Sequence, residues 1–444
     1  MKSSQLLACP RLGNSNSNQF RTTIILAAAL MTSAAFAQTV PNIGRWSGGT
    51  AIAPVNGHTM GNALTLTWGI LRDGTATINN SNGQSSGIAS NLISKFDTTY
   101  GAGPGGADLT LRPWFTTLQE VYSRWGQVSG LNMVYEANDD GVAQTSSNGG
   151  VLGVRADMRI GGRSFDGNVG GNVLAFNYFP NGGDMMVDTD NMSDFASASN
   201  GFRFLRNTLE HELGHGIGQA HVDSNNRNIL MEPFIDTTFD GPQMHDILIA
   251  NKGYGDKNEK SNGGLGNDTQ INATSLGILN GGGSVSIGNG ARNAVVSRTE
   301  SDFVTIDDQT DTDFYSLTLS QDGILDLTLE VLGDIYNVGP QNGTQISFNS
   351  FQRSDLTLAV LNGSGTVLFS ANANGLGGNE AISQFLTAGT YGIRITGVDN
   401  VDALDVDTQF YALSASLNAV PEPASMTLLA IGGLVIARRR RKNS

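Results

Sequence analysis

A histidine-rich segment near the middle of the chain constrains the fold more than any other feature. Residues 211–221 read HELGHGIGQAH and hold three of the five histidines in the 444 residues. His211 and His215 are four positions apart, so on a helix they lie one turn apart on the same face, and both imidazoles can reach one ion. The preceding residues, 204–209, fit such a helix. The segment therefore predicts a metal site that is built on a helix.

The third histidine, His221, can reach the same ion only if the helix ends before it. Gly218 permits that break, because glycine adopts the positive φ that other residues resist. Three neutral imidazoles leave a fourth position for water, which is typical of a catalytic rather than a structural zinc site. Glu212 is placed to accept the proton of that water and to return it to a leaving amine. The alternative is a degenerate metal-binding helix or a set of solvated histidines.

The composition of the chain excludes some classes of function and structure. The chain has 26 Lys and Arg against 40 Asp and Glu, a net charge of −14. No nucleic-acid partner is expected, because binding to a phosphate backbone needs a basic surface. Glycine makes up 57 residues and charged residues only 15%, which is typical of a globular protein rich in loops and strands. The single cysteine, Cys9, cannot form an intrachain disulfide.

Both ends of the chain have the composition of sorting signals. Arg21 precedes a short apolar run that ends in Ala35-Phe36-Ala37, so residues 1–37 are predicted to be a secretory signal peptide. A buried core helix is the alternative for this run. At the other end, Pro-Glu-Pro at 421–423 is followed by twelve apolar residues and by a basic cluster. That apolar run is short of the ~20 residues that span a bilayer as a helix.

The three parts of the C-terminal end, residues 420–444, resemble the PEP-CTERM sorting signal of Gram-negative bacteria. The resemblance implies recognition by an exosortase, cleavage near Pro-Glu-Pro and transient anchoring in the membrane. A plain C-terminal membrane anchor is the alternative. Either interpretation places the body of the protein outside the cytoplasm, in the cell envelope or the extracellular space.

Three zones divide the chain between these signals. Residues 38–256, the first zone, mix strands and helices; the apolar positions Leu118, Val121, Tyr122 and Trp125 fall on one helical face. Residues 257–266 are polar and glycine-rich and are predicted to be a linker. Residues 267–418, the β zone, show short alternating strands with Gly, Asn and Asp turns, which predicts an all-β sandwich.

The histidine segment and its surroundings resemble the metzincin metalloproteases, and more narrowly the matrixins. The sequence ILMEP at 229–233 is similar to their Met-turn, in which Met231 would form an apolar floor under the zinc ligands. The resemblance covers about residues 64–254. It implies an α+β metzincin catalytic domain, with a twisted mixed sheet and an active-site helix, that hydrolyses peptide bonds. Four further segments are similar to matrixin sequences: 156–160, 165–175, 181–188 and 243–254.

The resemblance to matrixins also implies the substrate-binding residues. Leu174 and Ala175 would lie on the edge strand that bonds a peptide substrate by β-augmentation, and Pro233 would line the same cleft. Matrixins carry a second, structural zinc, but Phe176 and Met186 stand where its histidines would fall. One catalytic Zn²⁺ is therefore expected.

Calcium is the second cofactor that this resemblance implies. Asp166 and Asp188, with nearby glycine carbonyls, would form one site, and Asp157 and Asp184 would form another, because Ca²⁺ takes oxygen ligands. The alternative for these four aspartates is ordinary turn chemistry.

The β zone resembles the bacterial pre-peptidase C-terminal domain, a β-sandwich that is appended to secreted peptidases. The resemblance implies a role in secretion or in contact with substrate or matrix. It also implies calcium binding through Asp311 and Asp313, unless these residues only shape a turn. The segments that carry the resemblance are 267–277, 311–317, 356–358 and 388–395.

The function that these features predict is that of a secreted or cell-surface zinc endopeptidase with protein or peptide substrates. The alternative is an extracellular matrix or adhesion protein with a non-catalytic metal site. The two remaining histidines, His58 and His245, have no ligand spacing, and His245 is expected at the surface.

Overall fold

Strands dominate the architecture, and a mixed sheet forms the first zone. The computed structural model describes residues 6–10, 44–47, 59–165, 167, 173–399 and 406–419. The strands of the first zone are β1 (Leu6–Pro10), β2 (Leu64–Ile70), β3 (Ala76–Ile78), β4 (Ser85–Ala89), β5 (Leu131–Tyr135), β6 (Met158–Arg163), β7 (Val173–Tyr178), β8 (Met185–Asp188) and β9 (Val222–Asp223).

Six of these strands form one sheet in the order β1-β7-β8-β6-β2-β5. The pairs β5–β2, β2–β6 and β6–β8 are parallel, whereas β8 and β7 are antiparallel. The outer edge of β7 pairs antiparallel with β1, which comes from the segment predicted to be a signal peptide. The twisted mixed sheet that the sequence predicted is therefore confirmed.

Helices cover this sheet and close the first zone. They are α1 (Leu92–Tyr100), α2 (Phe115–Val128), α3 (Met192–Phe195), α4 (Arg203–Gly216), α5 (Met244–Tyr254) and the short α6 (Ser261–Gly264). Single 3₁₀ turns occupy Leu109–Leu111, Thr189–Asn191, Lys257–Lys260, Gln270–Asn272 and Asn289–Arg292. The apolar face predicted for α2 is buried, and Tyr122 stacks on Trp68 with ring centroids 4.3 Å apart.

The β zone is the predicted sandwich. Its strands are β10 (Thr274–Leu279), β11 (Ser284–Ile287), β12 (Thr305–Ile306), β13 (Thr312–Leu319), β14 (Gly323–Val331), β15 (Ile335–Pro340), β16 (Ile346–Asn349), β17 (Ser354–Leu361), β18 (Val367–Ala371), β19 (Glu380–Leu386), β20 (Gly389–Asp399) and β21 (Gln409–Ala419). One sheet has the order β10-β13-β20-β17-β18, and the other has β11-β21-β14-β19 with β12 paired to β21. Alternate residues of both sheets fill one apolar core, as the period of two requires.

The first zone and the β zone are joined by a small sheet and by a common apolar core. A small sheet of order β16-β15-β9 joins them, because β9 belongs to the first zone and the hairpin β15–β16 to the β zone. One continuous apolar core contains Leu213 and Ile247 of the first zone together with Val338 and Phe410 of the β zone. The segment predicted to be a linker forms helical turns, and its Lys260 Nζ donates to carbonyls of the first zone.

The two predicted sorting signals lie outside the described residues, apart from β1. None of the helices in the described part of the chain has the length and apolar character of a membrane span.

Candidate metal centre

Helix α4 carries His211, Glu212 and His215 into the interior, where all three are fully buried. The helix ends at Gly216, whose carbonyl accepts a hydrogen bond from Trp46 Nε1 at 2.8 Å. Gly218 then has a φ of +114°, so the predicted break is confirmed. The turn that follows returns the chain toward the helix.

The return brings three imidazoles together. One ring nitrogen from each of His211, His215 and His221 lies within 4.8 Å of the other two. The Nε2 atoms of His211 and His221 are 3.1 Å apart. The three rings are buried. They meet edge-on or at a tilt, and their centroids are 4.7 to 5.1 Å apart. The geometry that the spacing predicted is therefore present.

The outer nitrogen of each ring is held by an oxygen. The Nδ1 atom of His211 donates to the Leu230 carbonyl and that of His215 to the Gln219 carbonyl, both at 2.7 Å. His221 Nδ1 donates to the side-chain Oε1 of Gln341, also at 2.7 Å. Because these acceptors have no proton to give, the proton stays on Nδ1 and the Nε2 lone pairs face the centre.

This donor set fits a metal ion. The Nε2 atom of His215 is buried and has no hydrogen-bond partner among the described residues, which is costly unless a ligand satisfies it. Burial lowers the pKa of His211 to about 3 and that of His221 to about 4, and it lowers the pKa of His215 well below its usual range. Repulsion between the rings adds to the shifts of His211 and His215. Neutral imidazoles at neutral pH are the form that binds zinc.

A turn below the histidines supports them. Met231 is buried, and its sulfur packs so closely on Gly214 that a Cβ there would overlap it. The Met231 carbonyl accepts from the backbone N–H of Val222, which follows the third histidine, at 3.0 Å. Met231 thus lies against the helix that carries the ligands, as the Met-turn resemblance implies. Pro233, two residues later, is also buried.

Asp246 holds this turn, and the sequence analysis did not identify it. Its carboxylate accepts from the backbone N–H groups of Leu230, Met231 and Gln243 at 2.8 to 3.1 Å. Burial raises its pKa to about 6. The available signal was the capping box between Gln243 and Asp246 at the start of α5. That signal predicts a helix start but not the contact with the turn.

The predicted substrate residues lie on the strand beside the histidines. Leu174 and Ala175 are buried in β7, where Ala175 pairs with Val187 on one side and with Cys9 of β1 on the other. Phe179, just beyond β7, lies edge-on to His215 with ring centroids 5.6 Å apart. Phe176, at a position of the structural zinc in matrixins, is buried in a small apolar cluster.

Asp157 and Asp184, the pair predicted to form one calcium site, already have other partners. Asp157 accepts from the N–H and hydroxyl of Thr67, both at 2.8 Å. Asp184 accepts from the Arg159 N–H at 2.8 Å, and the Arg159 guanidinium lies 3.5 Å from its other oxygen. A bound guanidinium supplies positive charge that a cation would otherwise supply. Calcium at this pair stays a prediction.

The other predicted calcium pair is only partly described. Asp166 lies outside the described residues. Asp188 is buried at the end of β8 and accepts from the Asp190 N–H at 3.0 Å and from Asn191 Nδ2 at 3.3 Å. Calcium here also stays a prediction.

A second group of carboxylates lies where the segment 257–266 meets the β zone. One oxygen each of Glu259, Asp268 and Asp311 lies within 4.8 Å of the others. Burial, with repulsion from neighbouring carboxylates, raises the pKa of Glu259 to about 12 and that of Asp311 well above its usual range. Asp313 instead accepts from Asn267 Nδ2 at 2.7 Å and from the Tyr411 hydroxyl. The calcium that the resemblance implies at Asp311 and Asp313 stays a prediction.

The expectation that His245 lies at the surface is wrong. His245 is buried, and its Nδ1 lies 2.9 Å from the Tyr336 hydroxyl. The hairpin β15–β16 covers this face of α5 with Tyr336, which lies 91 residues after His245. The periodicity of α5 alone does not reveal a cover from so far along the chain. His58 lies outside the described residues.

Comparisons with known proteins support these observations at the level of domains. The matrixin family model matches residues 106–250, and the PEP-CTERM protein-sorting motif matches residues 419–442. The chain thus contains a matrixin domain and a PEP-CTERM motif, and both resemblances are confirmed. A matrixin domain implies a zinc metallopeptidase, and the motif implies export. The search of curated proteins found no match.

Several solved structures are similar to about one third of the chain, and two of them illustrate the likeness. The pre-peptidase C-terminal domain of a collagenase from Bacillus anthracis is 12% identical over 33% of this chain and 96% of that chain, with a TM-score of 0.17. PliG of Aeromonas hydrophila, a periplasmic inhibitor of g-type lysozyme, is 12% identical over 33% of this chain and 100% of that chain, with a TM-score of 0.18. At these TM-scores neither likeness carries an argument.

Proposed function

We propose that this chain is an exported zinc endopeptidase that cleaves protein substrates. One observation carries the proposal: three buried imidazoles converge with their outer nitrogens held by oxygens, and Glu212 follows the first of them on the same helix. His211, His215 and His221 would hold the zinc. When bound there, zinc supplies Lewis acidity toward a scissile carbonyl and an attacking water.

Glu212 is the general base and acid of this proposal. Its carboxylate accepts a proton from the attacking water and returns it to the nitrogen of the leaving amine. Burial of the whole helix turn keeps bulk water away, so the charge on the carboxylate acts in a medium of low dielectric constant. A purely structural metal site would have no use for a carboxylate in this place.

The substrate would lie along β7. The outer edge of that strand pairs antiparallel with β1, with Ala175 opposite Cys9, which supports an edge that accepts an added strand. If residues 1–37 are removed as a signal peptide, β1 leaves with them and the edge beside Leu174 and Ala175 becomes free for a peptide. The backbone groups of these residues would then orient the substrate.

We also propose that the PEP-CTERM segment anchors the protein transiently before an exosortase processes it. The mature protein would then act in the cell envelope or outside the cell of a Gram-negative bacterium. The motif match at residues 419–442 supports this route.

The test of the proposed activity is the Glu212→Gln variant of the mature chain. Glutamine has the same shape but cannot take a proton, so casein cleavage should fall by at least about 10²–10⁴-fold, while zinc content stays at one ion per chain. The wild-type protein should lose cleavage with a zinc chelator and regain it with added zinc.

Undiminished cleavage by Glu212→Gln would reject Glu212 as the base. A wild-type chain that binds zinc but cleaves no protein would favour the alternative, a matrix or adhesion protein with a non-catalytic metal site.

A further inference from the structure

The hairpin β15–β16 of the β zone reaches the metal centre. Its Gly339 and Pro340 pair antiparallel with Asp223 and Val222, the two residues that directly follow His221. The third ligand is therefore fixed from one side by a strand that comes from more than a hundred residues later in the sequence. The other two ligands lie on α4 and have no comparable contact with the β zone among the described residues.

The turn of this hairpin contacts the ligand itself. Gln341 Oε1 accepts from His221 Nδ1 at 2.7 Å. The next residue, Asn342, donates its backbone N–H to the Asp223 carboxylate at 2.7 Å. His211 and His215, by contrast, donate to backbone carbonyls of the first zone. His221 is thus the one zinc-site histidine in the described residues whose partner is a side chain of the β zone.

Further bonds hold the base of the hairpin in place. Arg227 pairs with Asp334 at 2.6 Å, and the Asn337 N–H donates to Asn226 Oδ1 at 3.1 Å. Tyr336 packs its ring against His245 of α5 and extends its hydroxyl to the same residue. With its base anchored at several points, the turn can present Gln341 in one position.

We propose that Gln341 is a positioning residue that the β zone supplies to the zinc site. By accepting the Nδ1 proton it holds His221 in the tautomer whose Nε2 lone pair faces the centre, and it fixes the orientation of the ring. The proposed metal site is then complete only when both zones are present in one chain. This inference rests on the proposed function for the zinc site, but it concerns the assembly of the site and not the chemistry of cleavage.

The test compares two replacements of Gln341 that differ in one property. Gln341→Met keeps the length of the side chain but removes the carbonyl acceptor. Gln341→Glu keeps the acceptor at the same reach. Gln345→Met, in the same hairpin, is the matched control. Zinc affinity of the mature full chain is measured by competition with a fluorescent chelator, and the unfolding of the metal-free forms is measured to verify that each variant is folded.

We expect Gln341→Met to weaken zinc binding by about 10- to 100-fold, the usual effect of losing such a partner of a zinc-bound histidine. Gln341→Glu and Gln345→Met should bind zinc as tightly as the wild type. Casein cleavage at saturating zinc should change far less than zinc affinity, because the acceptor acts on the ligand and not on the substrate.

Equal zinc affinity of Gln341→Met and the wild type would overturn the inference and leave the proposed peptidase intact. Equal weakening by Gln341→Met and Gln345→Met would also overturn it, since the hairpin would then act through its fold alone. A wild-type chain that binds no zinc would reject the proposed function and this inference together. If Gln341→Met does not fold, weakened zinc binding of Gln341→Leu decides the question in the same way.

Discussion

The backbone conformation of Gly218 decides whether the third imidazole can reach the other two. Its φ of +114° lies in a region that is strained for residues with a Cβ atom. Its carbonyl accepts from the Gly44 N–H at 2.9 Å, and a Cβ would overlap the backbone of Gly44. Both constraints require glycine at this position.

Gly218→Ala should therefore destabilise the protein and disperse the metal site. A strained φ costs about 1–3 kcal/mol, and the overlap adds roughly another 1–3 kcal/mol. Gly74→Ala is the control, because Gly74 also has a positive φ of 88° but open space around its Cα. The free energy of unfolding in urea and the zinc content measure both effects. An equal loss in the two variants, with zinc retained, would contradict the role of Gly218.

At this scale the sequence predicted the residues that a local motif specifies. The spacing of His211, His215 and His221 and the glycine before the last one follow from helix geometry alone. Gln341 and Asp246 could not be predicted, because each acts on a residue far away in the sequence and shows no periodicity of its own. Such partners are visible only once the fold has brought the segments together.

Among the elements, the start of α5 supports the metal centre through the turn that carries Leu230 and Met231. Asp246 accepts three backbone N–H groups, two of which belong to Leu230 and Met231. The carbonyl of the same Leu230 accepts from His211 Nδ1. The carboxylate on α5 thus positions the acceptor that orients the first ligand.

Asp246→Ala should therefore weaken both folding and zinc binding. It leaves three buried donors unpaired, each worth about 1–3 kcal/mol, so the loss of unfolding free energy should be at least ~3 kcal/mol. Asp236→Ala removes a carboxylate that, among the described residues, accepts from one exposed group, the Thr238 N–H, and it should cost about 1 kcal/mol. Chemical denaturation and chelator competition measure the two losses. Similar values for both variants would contradict the proposed support of the turn.

Element predictions succeeded where one stretch of sequence carries its own period. The apolar face of α2 and the alternating burial of β13 can each be read from a short stretch of sequence, because the repeat of apolar positions shows which face is buried. The hairpin β15–β16 alternates as well, yet the sequence does not indicate that it leaves the sandwich to pair with β9. The segment 257–266 has the composition of a flexible linker, but Lys260 donates to the Gly126 carbonyl of the first zone and Lys257 to the Ser301 carbonyl of the β zone. These contacts on both sides accompany its helical turns.

In the whole molecule, strand β21 belongs to two cores at once. Phe410 and Ala412 face the core that contains the zinc-site helix, whereas Tyr411 and Leu413 face the core of the sandwich. Arg298 of the β zone also pairs with the buried Glu210 of α4 at 2.7 Å. Unfolding the first zone alone would expose one face of this strand, and unfolding the β zone alone would leave the buried Glu210 carboxylate without Arg298. The two zones are therefore expected to be stable only together.

This coupling predicts a single unfolding transition for the mature chain in calorimetry, with equal calorimetric and van't Hoff enthalpies. Zinc that binds only the folded form adds about 2.7 kcal/mol at a free concentration of 100 times its Kd, so chelation should lower the Tm of that one transition. Intrinsic fluorescence of the first zone and far-UV circular dichroism of the strands should shift by the same amount. Two resolved transitions, with only one sensitive to the chelator, would mean that the β zone folds independently and that the shared core contributes little to its stability.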